Sequence, residues 1–405
     1  MGLSIPHGAV YWLWLQRRLG VGSHVILTVA ETEGGARYVY ESTPDQLWAS
    51  GRFSVKTINA LNDRSLDAEE RILRRCEELG ISVTTPDEAD YPRRLLSIPD
   101  PPAVLFYKGR LADMCARPCI SIVGTRKATD YGMQATYELS QRLSRAGMTV
   151  VSGCARGIDT AAHNGALETV SGGTIAVLGC GINYRYNMAN EGLRRTISEK
   201  GALVSEYAPD IDSSPYHFPV RNRIISGLSL GTIVMEADSK SGSLITATRA
   251  AEQGRDVYVV ATGLGAPNSS GISRLTREME AKEVRSPMDV LKHYVSMYPM
   301  HLTLDGAERE LMFGNEPQRL PVRTEPDPMP SDHLDESFQP PADQLPTDLS
   351  DGARKVYGLL RPQPQLLDSI AAQAEMSAAE ILNVITELEI YGCITVHPGS
   401  RYSLI

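Results

Sequence analysis

The sequence predicts an α/β protein whose core is a Rossmann-like, doubly wound parallel sheet. Between residues 86 and 298, short apolar runs suited to buried strands alternate with helix-length stretches. Three of the six runs end at a glycine, which suits the turn by which a chain leaves a strand. A hydrophobic share of 42% over 405 residues supplies a large core and allows more than one domain.

The predicted elements of this core follow one another in order. The strands are "CISIVG", "MTVVSG", "GTIAVLG", "ALVSE", "GTIVMEA" and "DVYVVA". The helices between them are "YGMQATYELSQRLSRAG", "GIDTAAHNGALE", "NMANEGLRRTISEKG", "RIISGLS" and "GSLITATRAAEQG". Strand, helix and strand at this spacing is typical of parallel strands joined by crossover helices.

Residues 1–85 predict a small helical domain of the SAM or helix-hairpin-helix type. The turn "LGVG" between two of its helices has two interpretations. Its backbone N–H groups could face a phosphate, as in a helix-hairpin-helix, or the helices could form a bundle packed on the main domain. The bundle is the favoured interpretation, because one such turn is a weak signal.

Residues 299–351 form an acidic, proline-rich stretch without an apolar period, which predicts a disordered linker. Eleven carboxylates and three arginines between residues 301 and 350 contribute −8 of the net charge of −9. The remainder of the chain is therefore close to neutral, and a local basic pocket is compatible with it.

Residues 352–405 have the order of a winged helix, with three helices followed by two strands about a Pro-Gly turn. The third helix, "SAAEILNVITELEIYG", carries Glu380, Glu387 and Glu389 and no lysine or arginine. DNA phosphates would repel a recognition helix of that charge. A protein-contact or packing role is therefore favoured over groove reading.

Several classes of protein are disfavoured. No run of 18 apolar residues and no cationic leader is present, so we expect a cytoplasmic protein without a membrane span. The six cysteines show no CxxC pair and suit reduced packing residues. Cys115 and Cys119 could meet across one helical turn, but a metal would need more ligands nearby.

The strand-end loops of a doubly wound sheet meet at one edge, where such sheets bind ligands. Here five loops bring glycines, hydroxyls and cations to that edge, which predicts a site for a polyanion. Their residues are Gly124, Thr125, Arg126 and Lys127; Ser152, Gly153 and Arg156; Gly179 and Gly181; Arg221, Asn222 and Arg223; and Lys240, Ser241, Gly242 and Ser243.

The pair Arg221 and Arg223 leaves one alternative open, which is structural pairing with local carboxylates, for example of Arg221 with Glu206, Asp210 or Asp212. In a helix the two side chains would point about 200° apart. If both touch the polyanion, the segment must be extended or turned, with the helix beginning at about Ile224.

No catalytic site is predicted. The chain lacks the dinucleotide fingerprint and the G-x-x-x-x-G-K-[ST] loop, so we expect no cofactor. His163 lies among alanines and suits a packed residue, with Asp159 able to hold its ring nitrogen. Glu236, at a strand end, suits a residue that organises neighbouring loops by accepting their N–H groups.

Five ordered blocks of residues 91–290 resemble the DNA-processing protein A family, also called Smf. The blocks are "YPRRLLSIPDPPAVLFYKG", "SIVGTRKATDYG", "SGCARGIDTAAHNGAL", "HFPVRNRIISGLS" and "EADSKSGSLITATRAAEQGRDVYVV". The resemblance implies a non-enzymatic, homodimeric DNA-binding protein of natural transformation that protects incoming single-stranded DNA and loads the RecA recombinase on it. A nucleotide-processing enzyme resembling the phosphoribohydrolases, with Glu236 or Glu252 as acid, is the alternative.

The resemblance assigns DNA binding to the 86–298 domain, and the strand-end residues are then its contacts. These are Arg126, Lys127, Ser152, Gly153, Arg156, Arg221, Asn222, Arg223, Lys240, Ser241, Gly242 and Ser243. Tyr131, Tyr184, Tyr186 and Tyr216 are the candidates for stacking on bases. The chain departs from the family at "INYRYNMAN", "ATGLGAPNSSG" and "MEAKEV". The last departure makes the dimer contact less certain than the pocket.

Overall fold

A computed structural model gives the fold. It describes residues 3–169, 173–185, 188–261, 267–304, 349–362, 365–374, 376, 378–390, 393–397 and 401–404. The chain divides into two compact units, Met1–Pro317 and Gln318–Ile405, called unit 1 and unit 2. Residues 305–348 of the predicted linker, and Tyr186, lie outside the described residues. None of the described helices has both the length and the apolar character needed to cross a membrane.

Unit 1 begins with short helices around a core of Trp12, Trp14 and aliphatic side chains. They are α1 (Ala9–Leu19), α2 (Val25–Ala30), α3 (Gly35–Glu41), α4 (Pro44–Ala49), α5 (Val55–Ala60) and α6 (Asp67–Leu79). The "LGVG" turn after α1 packs onto the sheet region, since a Cβ added to Gly22 would lie 3.6 Å from Nε of Arg223. Gln16 Nε2 also donates to the carbonyl oxygen of Glu206 at 3.1 Å. These contacts favour the packed bundle.

In the described part of unit 1, nine strands form one sheet in the order β1-β2-β6-β5-β4-β3-β7-β8-β9. They are β1 (Ser82–Thr84), β2 (Leu105–Gly109), β3 (Cys119–Val123), β4 (Thr149–Ser152), β5 (Gly173–Leu178), β6 (Ala202–Ser205), β7 (Gly231–Val234), β8 (Asp256–Val260) and β9 (Lys282–Val284). β2 pairs antiparallel with both β1 and β6. The strands from β3 to β9 pair parallel with one another. The six predicted strands are confirmed.

Helices cover both faces of the sheet. They are α7 (Leu111–Cys115), α8 (Asp130–Arg145), α9 (Ile158–Leu167), α10 (Glu191–Lys200), α11 (His217–Leu228), α12 (Ser243–Glu252), α13 (Ser270–Met279) and α14 (Met288–Leu291). Along β3, Ile120 and Ile122 pack into the core formed with α8 and α9. Val123 packs into the opposite core, with α11 and α12. This alternation buries the strand on both sides, and the predicted doubly wound fold is confirmed.

The strand order reverses between β3 and β7. From β3 the chain proceeds through β4, β5 and β6 on one side, and it then returns to β7 on the other side. The loops that follow β3 and β7 therefore diverge and leave a crevice above the sheet edge. In open α/β sheets this switch point is where ligands bind.

Unit 2 has the predicted winged-helix order. It contains α15 (Asp351–Leu359), β10 (Gln365–Leu366), α16 (Leu367–Ala374), α17 (Ala378–Ile390), β11 (Ile394–His397) and β12 (Arg401–Leu404). β11 and β12 form an antiparallel hairpin, and β10 pairs with β12. On the acidic helix α17, the Glu387 carboxylate accepts from N and Oγ of Ser350, the residue that caps α15. One of the three predicted acidic residues thus has a packing role.

Candidate nucleic-acid interface

A cleft of about 460 Å³ opens at the switch point between β3 and β7. Its walls come from the loop after β3, the first half of α11 and the loop before α12. It gathers Arg126, Arg221, Asn222, Lys240, Ser241, Gly242 and Ser243 from the predicted DNA-contact residues. The loop after β4 adds Ala155, so residues of four of the five predicted strand-end loops line one cleft.

Phe218 is a cleft residue that the sequence analysis missed. Its ring lies between two guanidinium groups, 5.3 Å from Cζ of Arg126 and 5.9 Å from Cζ of Arg221. A Cβ added to Gly179 would lie 2.9 Å from this ring, so glycine after β5 makes room for the phenyl group. The available signal was the Phe-Pro pair before Arg221, in a chain with only five phenylalanines. The cleft thus holds an aromatic face between two cations.

Arg221 forms the floor of the cleft, where it is only 5% exposed. Its Nη1 donates to the carbonyl oxygen of Gly153 at 2.9 Å and to that of Val177. A Cβ on Gly153 would lie 2.5 Å from the same Nη1, so the predicted contact residue Gly153 lies behind the arginine and makes its position possible. Burial lowers the pKa of Arg221, and the nearby Asp159 carboxylate opposes that shift.

Asp159 also lines the cleft, and its carboxylate accepts from the N–H groups of Gly153 at 3.2 Å and Ala155 at 3.3 Å. Burial raises the pKa of Asp159, whereas the Arg221 guanidinium lowers it. Gly153 therefore connects the two charged groups, since its N–H meets the carboxylate and its carbonyl oxygen meets the guanidinium. The predicted contact between Asp159 and the His163 ring is wrong, because His163 Nδ1 lies against Thr174 Oγ1 and Nε2 has no hydrogen-bond partner among the described residues.

The loop before α12 supplies hydroxyls and a cation. Ser241 N donates to the carbonyl oxygen of Asp238 at 2.9 Å, and the hydroxyls of Ser241 and Ser243 lie 2.8 Å apart. Lys240 is exposed at the rim. Helix α12 starts at Ser243, so its positive dipole end lies at the cleft. This arrangement suits an anion.

Three other predicted contact residues lie outside the lining of the cleft. Lys127 is exposed beside it, and its carbonyl oxygen accepts from Asn268 Nδ2 at 3.0 Å. Ser152 is fully buried, and its hydroxyl donates to the carbonyl oxygen of Ile122 at 2.7 Å. Arg156 is exposed in the loop before α9. Ser152 therefore holds β4 against β3, while the two cations extend the positive surface around the cleft.

Arg223 lies on the other face of α11. A helix start at about Ile224 was expected only if both arginines touch the polyanion, and α11 instead starts at His217 and includes both arginines. Arg223 is 1% exposed and pairs with Glu206 at 2.8 Å and Asp100 at 3.3 Å. The alternative of local pairing therefore applies to Arg223. Its partner is Glu206, which had been considered as a partner of Arg221.

Glu236 organises the loops next to the cleft, as predicted. Its carboxylate accepts from Thr129 N at 3.0 Å, from Thr129 Oγ1 at 2.5 Å and from Asn268 Nδ2 at 3.1 Å. Its carbonyl oxygen accepts from Thr125 N at 2.8 Å. Glu236 thus fixes the loop that carries Arg126 and the start of α8.

Two of the predicted stacking tyrosines are strongly exposed. Tyr131, in the first turn of α8, is 78% exposed, and Tyr216, just before α11, is 84% exposed. Tyr184 instead packs against the core of the N-terminal helices. Tyr131 and Tyr216 lie on elements beside the cleft, where their rings are open to a ligand.

His163 is fully buried, as predicted, and its Nδ1 lies 2.7 Å from Oγ1 of Thr174. Burial lowers its pKa to about 3. An unfolded histidine titrates near 6.5, so the folded state binds fewer protons below that pH. The stability that this neutral ring contributes above about pH 6.5 is lost as the pH falls towards about 3.

The free energy of unfolding of wild type should fall by about 1.4 kcal/mol for each pH unit below 6.5 because of His163. Between pH 7 and pH 5 we therefore expect wild type to lose about 2 kcal/mol more than a His163→Gln variant. Urea unfolding followed by tryptophan fluorescence measures the difference, since Trp12, Trp14 and Trp48 all lie in unit 1. Equal losses in the two proteins would show that His163 titrates normally.

Comparisons with known proteins agree with the fold. The model of the family described as DNA recombination-mediator protein A matches residues 82–295, and that of the DprA winged helix domain matches residues 340–400. Protein Smf of Synechocystis sp. is 33% identical over 396 residues, which is 97% of this chain and 98% of that protein.

Similarity to proteins of Streptococcus pneumoniae leads to the same family. The DNA processing protein DprA of that organism is 43% identical over 204 residues, covering 50% of this chain and 71% of that protein. The X-ray structure of DNA processing protein A from the same organism superposes with a TM-score of 0.57 at 33% identity, covering 72% of this chain and 98% of that chain. The chain therefore belongs to the DNA recombination-mediator protein A family, whose members include proteins named DprA and Smf.

Proposed function

We propose that this chain binds single-stranded DNA through its phosphates in the cleft between β3 and β7, without a catalytic step. The observation that carries the proposal is the convergence of Arg126, Arg221, Lys240 and the start of α12 on one cleft. Guanidinium and ammonium groups donate to phosphate oxygens, and the positive dipole end of a helix favours an anion. They contact the DNA backbone, so we expect binding without sequence preference.

Single strands fit this site better than a duplex because the aromatic rings need unpaired bases. Phe218 lines the cleft, and Tyr131 and Tyr216 offer exposed rings beside it. Each base that stacks on an aromatic side chain contributes about 1–3 kcal/mol, and the bases of a duplex are already stacked. We therefore expect the phosphates to lie in the cleft and the bases to stack on these rings.

The acidic groups near the cleft support binding over catalysis. Glu236, the acid of the alternative enzymatic interpretation, accepts three hydrogen bonds from Thr129 and Asn268. Glu252, the second candidate acid, pairs with Arg249 at 2.9 Å. Both carboxylates thus have structural partners, and we propose neither as a general acid.

The wider role follows from the family to which the chain belongs. We propose that it protects incoming DNA in the cytoplasm during natural transformation and loads the RecA recombinase on it as a homodimer. In this proposal residues 86–298 hold the DNA, and residues 1–85 and 352–405 serve contacts with protein. The acidic residues of α17 support that role for the tail, because DNA phosphates would repel a helix of that charge, and the Glu387 carboxylate caps α15 through Ser350.

The test is a fluorescence-anisotropy titration of a labelled single-stranded oligonucleotide over a salt series. We expect Arg126→Ala with Lys240→Ala to weaken binding about tenfold or more, since each charged hydrogen bond contributes about 1.5–3 kcal/mol. The salt dependence should also fall, by about 0.7 in the logarithmic slope for each lost phosphate contact. Both side chains are exposed, so the fold should survive.

The matched control is Arg142→Ala with Arg145→Ala, which removes the same charge from the far end of α8. That end lies about 20 Å along the helix from the cleft. We expect the control to change affinity less than twofold. Full affinity in the folded cleft variant, or an equal loss in the control, would contradict a phosphate site in the cleft.

A further inference from the structure

A second cleft, of about 410 Å³, lies at the end of α11. It is lined by residues 89–94, by residues of α7 and by Leu228, the last residue of α11. Leu228 lies about 10 Å along the helix axis from Arg221, which forms the floor of the DNA cleft. None of the residues that line the second cleft also lines the DNA cleft. Its volume is within the range of small-molecule sites, about 300–1,000 Å³.

Arg93 lines this cleft and is exposed. Its guanidinium donates to the carbonyl oxygen of Pro86 at 3.5 Å and to that of Glu88 at 3.3 Å. A guanidinium that meets a charged oxygen lies closer to it, at about 2.7–2.9 Å. Arg93 therefore makes only long contacts with neutral oxygens, and its positive charge is available to a ligand.

Arg94, the next residue, lines the same cleft and is half-buried. Its Nη1 lies 3.4 Å from the carbonyl oxygens of Cys115 and Arg117, and its Nη2 donates to the hydroxyl of Tyr298 at 3.2 Å. Cys115 is the last residue of α7, so Arg94 also caps the negative end of that helix. These contacts hold the guanidinium in place, but all of them are again long and with neutral groups.

Arg255 adds a third positive charge beside the cleft. Its Nη2 donates to Ser97 Oγ at 2.7 Å and to the carbonyl oxygen of Arg94 at 3.1 Å. Burial lowers the pKa of Arg255, and the Arg94 guanidinium lowers it further. Within the part of the chain that the structure describes, Arg93, Arg94 and Arg255 form no ion pair. An anion in the cleft would supply the missing counter-charge.

The rest of the lining is mostly small and apolar. Ala89, Ala112 and Ala116 are exposed, whereas Pro92 and Leu228 are buried behind them. Small-molecule sites have this composition, an apolar wall with a few placed polar groups. The cleft therefore has room for an uncharged body next to its two arginines.

Asp90 is the acidic residue among those that line the cleft. Its carboxylate oxygens accept from Thr84 Oγ1 at 2.5 Å and from the hydroxyl of Tyr107 at 2.9 Å. These two bonds hold the carboxylate on the wall formed by β1 and β2. We therefore expect the anionic part of a ligand to lie at Arg93 and Arg94 and to avoid Asp90.

We propose that the second cleft binds a small phosphate monoester, with its phosphate on Arg93 and Arg94 and its uncharged body against Pro92 and Leu228. A phosphate monoester carries a charge of about −1.5 to −2 at pH 7, which suits two adjacent guanidinium groups better than the single charge of a carboxylate. The planar fork of an arginine also matches the geometry of phosphate oxygens. A nucleoside monophosphate has this chemistry.

The test is isothermal titration calorimetry of the full-length chain with AMP. A phosphate could also enter the DNA cleft, so the titrated protein carries Arg126→Ala with Lys240→Ala. We expect one AMP to bind per chain, at least tenfold more tightly than inorganic phosphate, because only AMP has a body that contacts the apolar wall. No binding of AMP, or equal affinity for AMP and inorganic phosphate, would overturn the proposal.

Two further changes, each added to that protein, identify the cleft as the site. Arg93→Ala should weaken AMP binding about tenfold or more, since the phosphate loses a charged donor. Ala112→Phe keeps every arginine and fills the cleft, so it should weaken binding at least as much. Arg94 stays unchanged because it also caps α7.

The matched controls are Arg142→Ala on α8 and Ala49→Phe on α4, both at exposed positions. They should change the affinity for AMP less than twofold. An unchanged affinity in Arg93→Ala or in Ala112→Phe, or an equal loss in the controls, would show that AMP binds elsewhere. Circular dichroism confirms that each variant is folded.

DNA binding distinguishes this site from the DNA cleft. In a chain that retains Arg126 and Lys240, Arg93→Ala and Ala112→Phe should each bind single-stranded DNA within about twofold of wild type. A tenfold loss of DNA affinity in both variants would show that the second cleft belongs to the path of the DNA and would contradict a separate site. Failure of AMP to bind would leave the proposal for the DNA cleft untouched.

Discussion

Arg223→Ala is expected to lower the free energy of unfolding of unit 1 by about 3–5 kcal/mol, although Arg223 lies outside the DNA cleft. The Arg223 and Glu206 side chains are each 2% exposed, with 2.8 Å between Nη2 and Oε1. Asp100 adds a second carboxylate, 3.3 Å from Nε. Without the guanidinium, Glu206 is a buried carboxylate with no counter-charge, and desolvation makes that state costly. Urea unfolding followed by tryptophan fluorescence measures the loss.

The matched control for this prediction is Arg75→Ala. Arg75 pairs with Asp210 at 2.7 Å, but the two side chains are 42% and 49% exposed. Exposed ion pairs of this kind are screened by solvent and contribute little to stability. Both variants thus remove an arginine from an ion pair with a carboxylate, and the two pairs differ mainly in how deeply they are buried.

DNA binding distinguishes the structural role of Arg223 from the predicted contact. At low temperature, where the Arg223→Ala variant is folded, its affinity for single-stranded DNA should stay within about threefold of wild type, a difference below about 1 kcal/mol. A variant with normal stability and an affinity reduced as far as that of Arg126→Ala with Lys240→Ala would show that Arg223 contacts DNA.

The sheet and the position of the cleft could be predicted because they depend on local patterns. A buried strand needs a short apolar run, and the carboxyl ends of parallel strands meet at one edge whatever the side chains do elsewhere. Strand order alone therefore predicts that Arg126, Arg221 and Lys240 meet in one cleft. Glu236 was predictable for the same reason, since a carboxylate at a strand end meets the amides of the neighbouring loops.

The two arginines of α11 show where prediction from the sequence stopped. Pro219 is the third residue of this helix, and a first turn tolerates proline because its N–H groups have no partner within the helix. The predicted helix "RIISGLS" begins at Arg223, six residues after the observed start at His217. The partner of Arg223 depends on how β6 and the "LGVG" turn pack against α11, which no local pattern specifies.

Arg221→Met is expected to have an effect as large as that of Arg223→Ala, and to act on both stability and binding. The change leaves Asp159 buried without its cation and leaves the carbonyl oxygens of Gly153 and Val177 without this donor. We expect a loss of about 3–5 kcal/mol in the free energy of unfolding at pH 7. The folded protein should also bind single-stranded DNA at least tenfold more weakly, since the cleft loses its buried cation.

Adding Asp159→Asn to Arg221→Met distinguishes the effect of the unpaired carboxylate charge from the effect of the lost hydrogen bonds. The amide has no charge to leave unpaired, so the double variant should be more stable than the sum of the two single changes predicts, by about 1–3 kcal/mol. Strict additivity would show that Arg221 and Asp159 do not stabilise each other. The binding loss should remain in the double variant, because the introduced amide is neutral and supplies no cation to a phosphate.

The pH dependence gives the same pair a second test. Burial already raises the pKa of Asp159, and removing Arg221 takes away the group that opposes this rise. A carboxyl whose folded pKa is raised binds a proton more tightly when folded, so its cost to stability is present at neutral pH and disappears as the pH falls. The destabilisation caused by Arg221→Met should therefore shrink between pH 7 and pH 5. With Asp159→Asn present it should stay nearly constant, because the group that takes up the proton is gone.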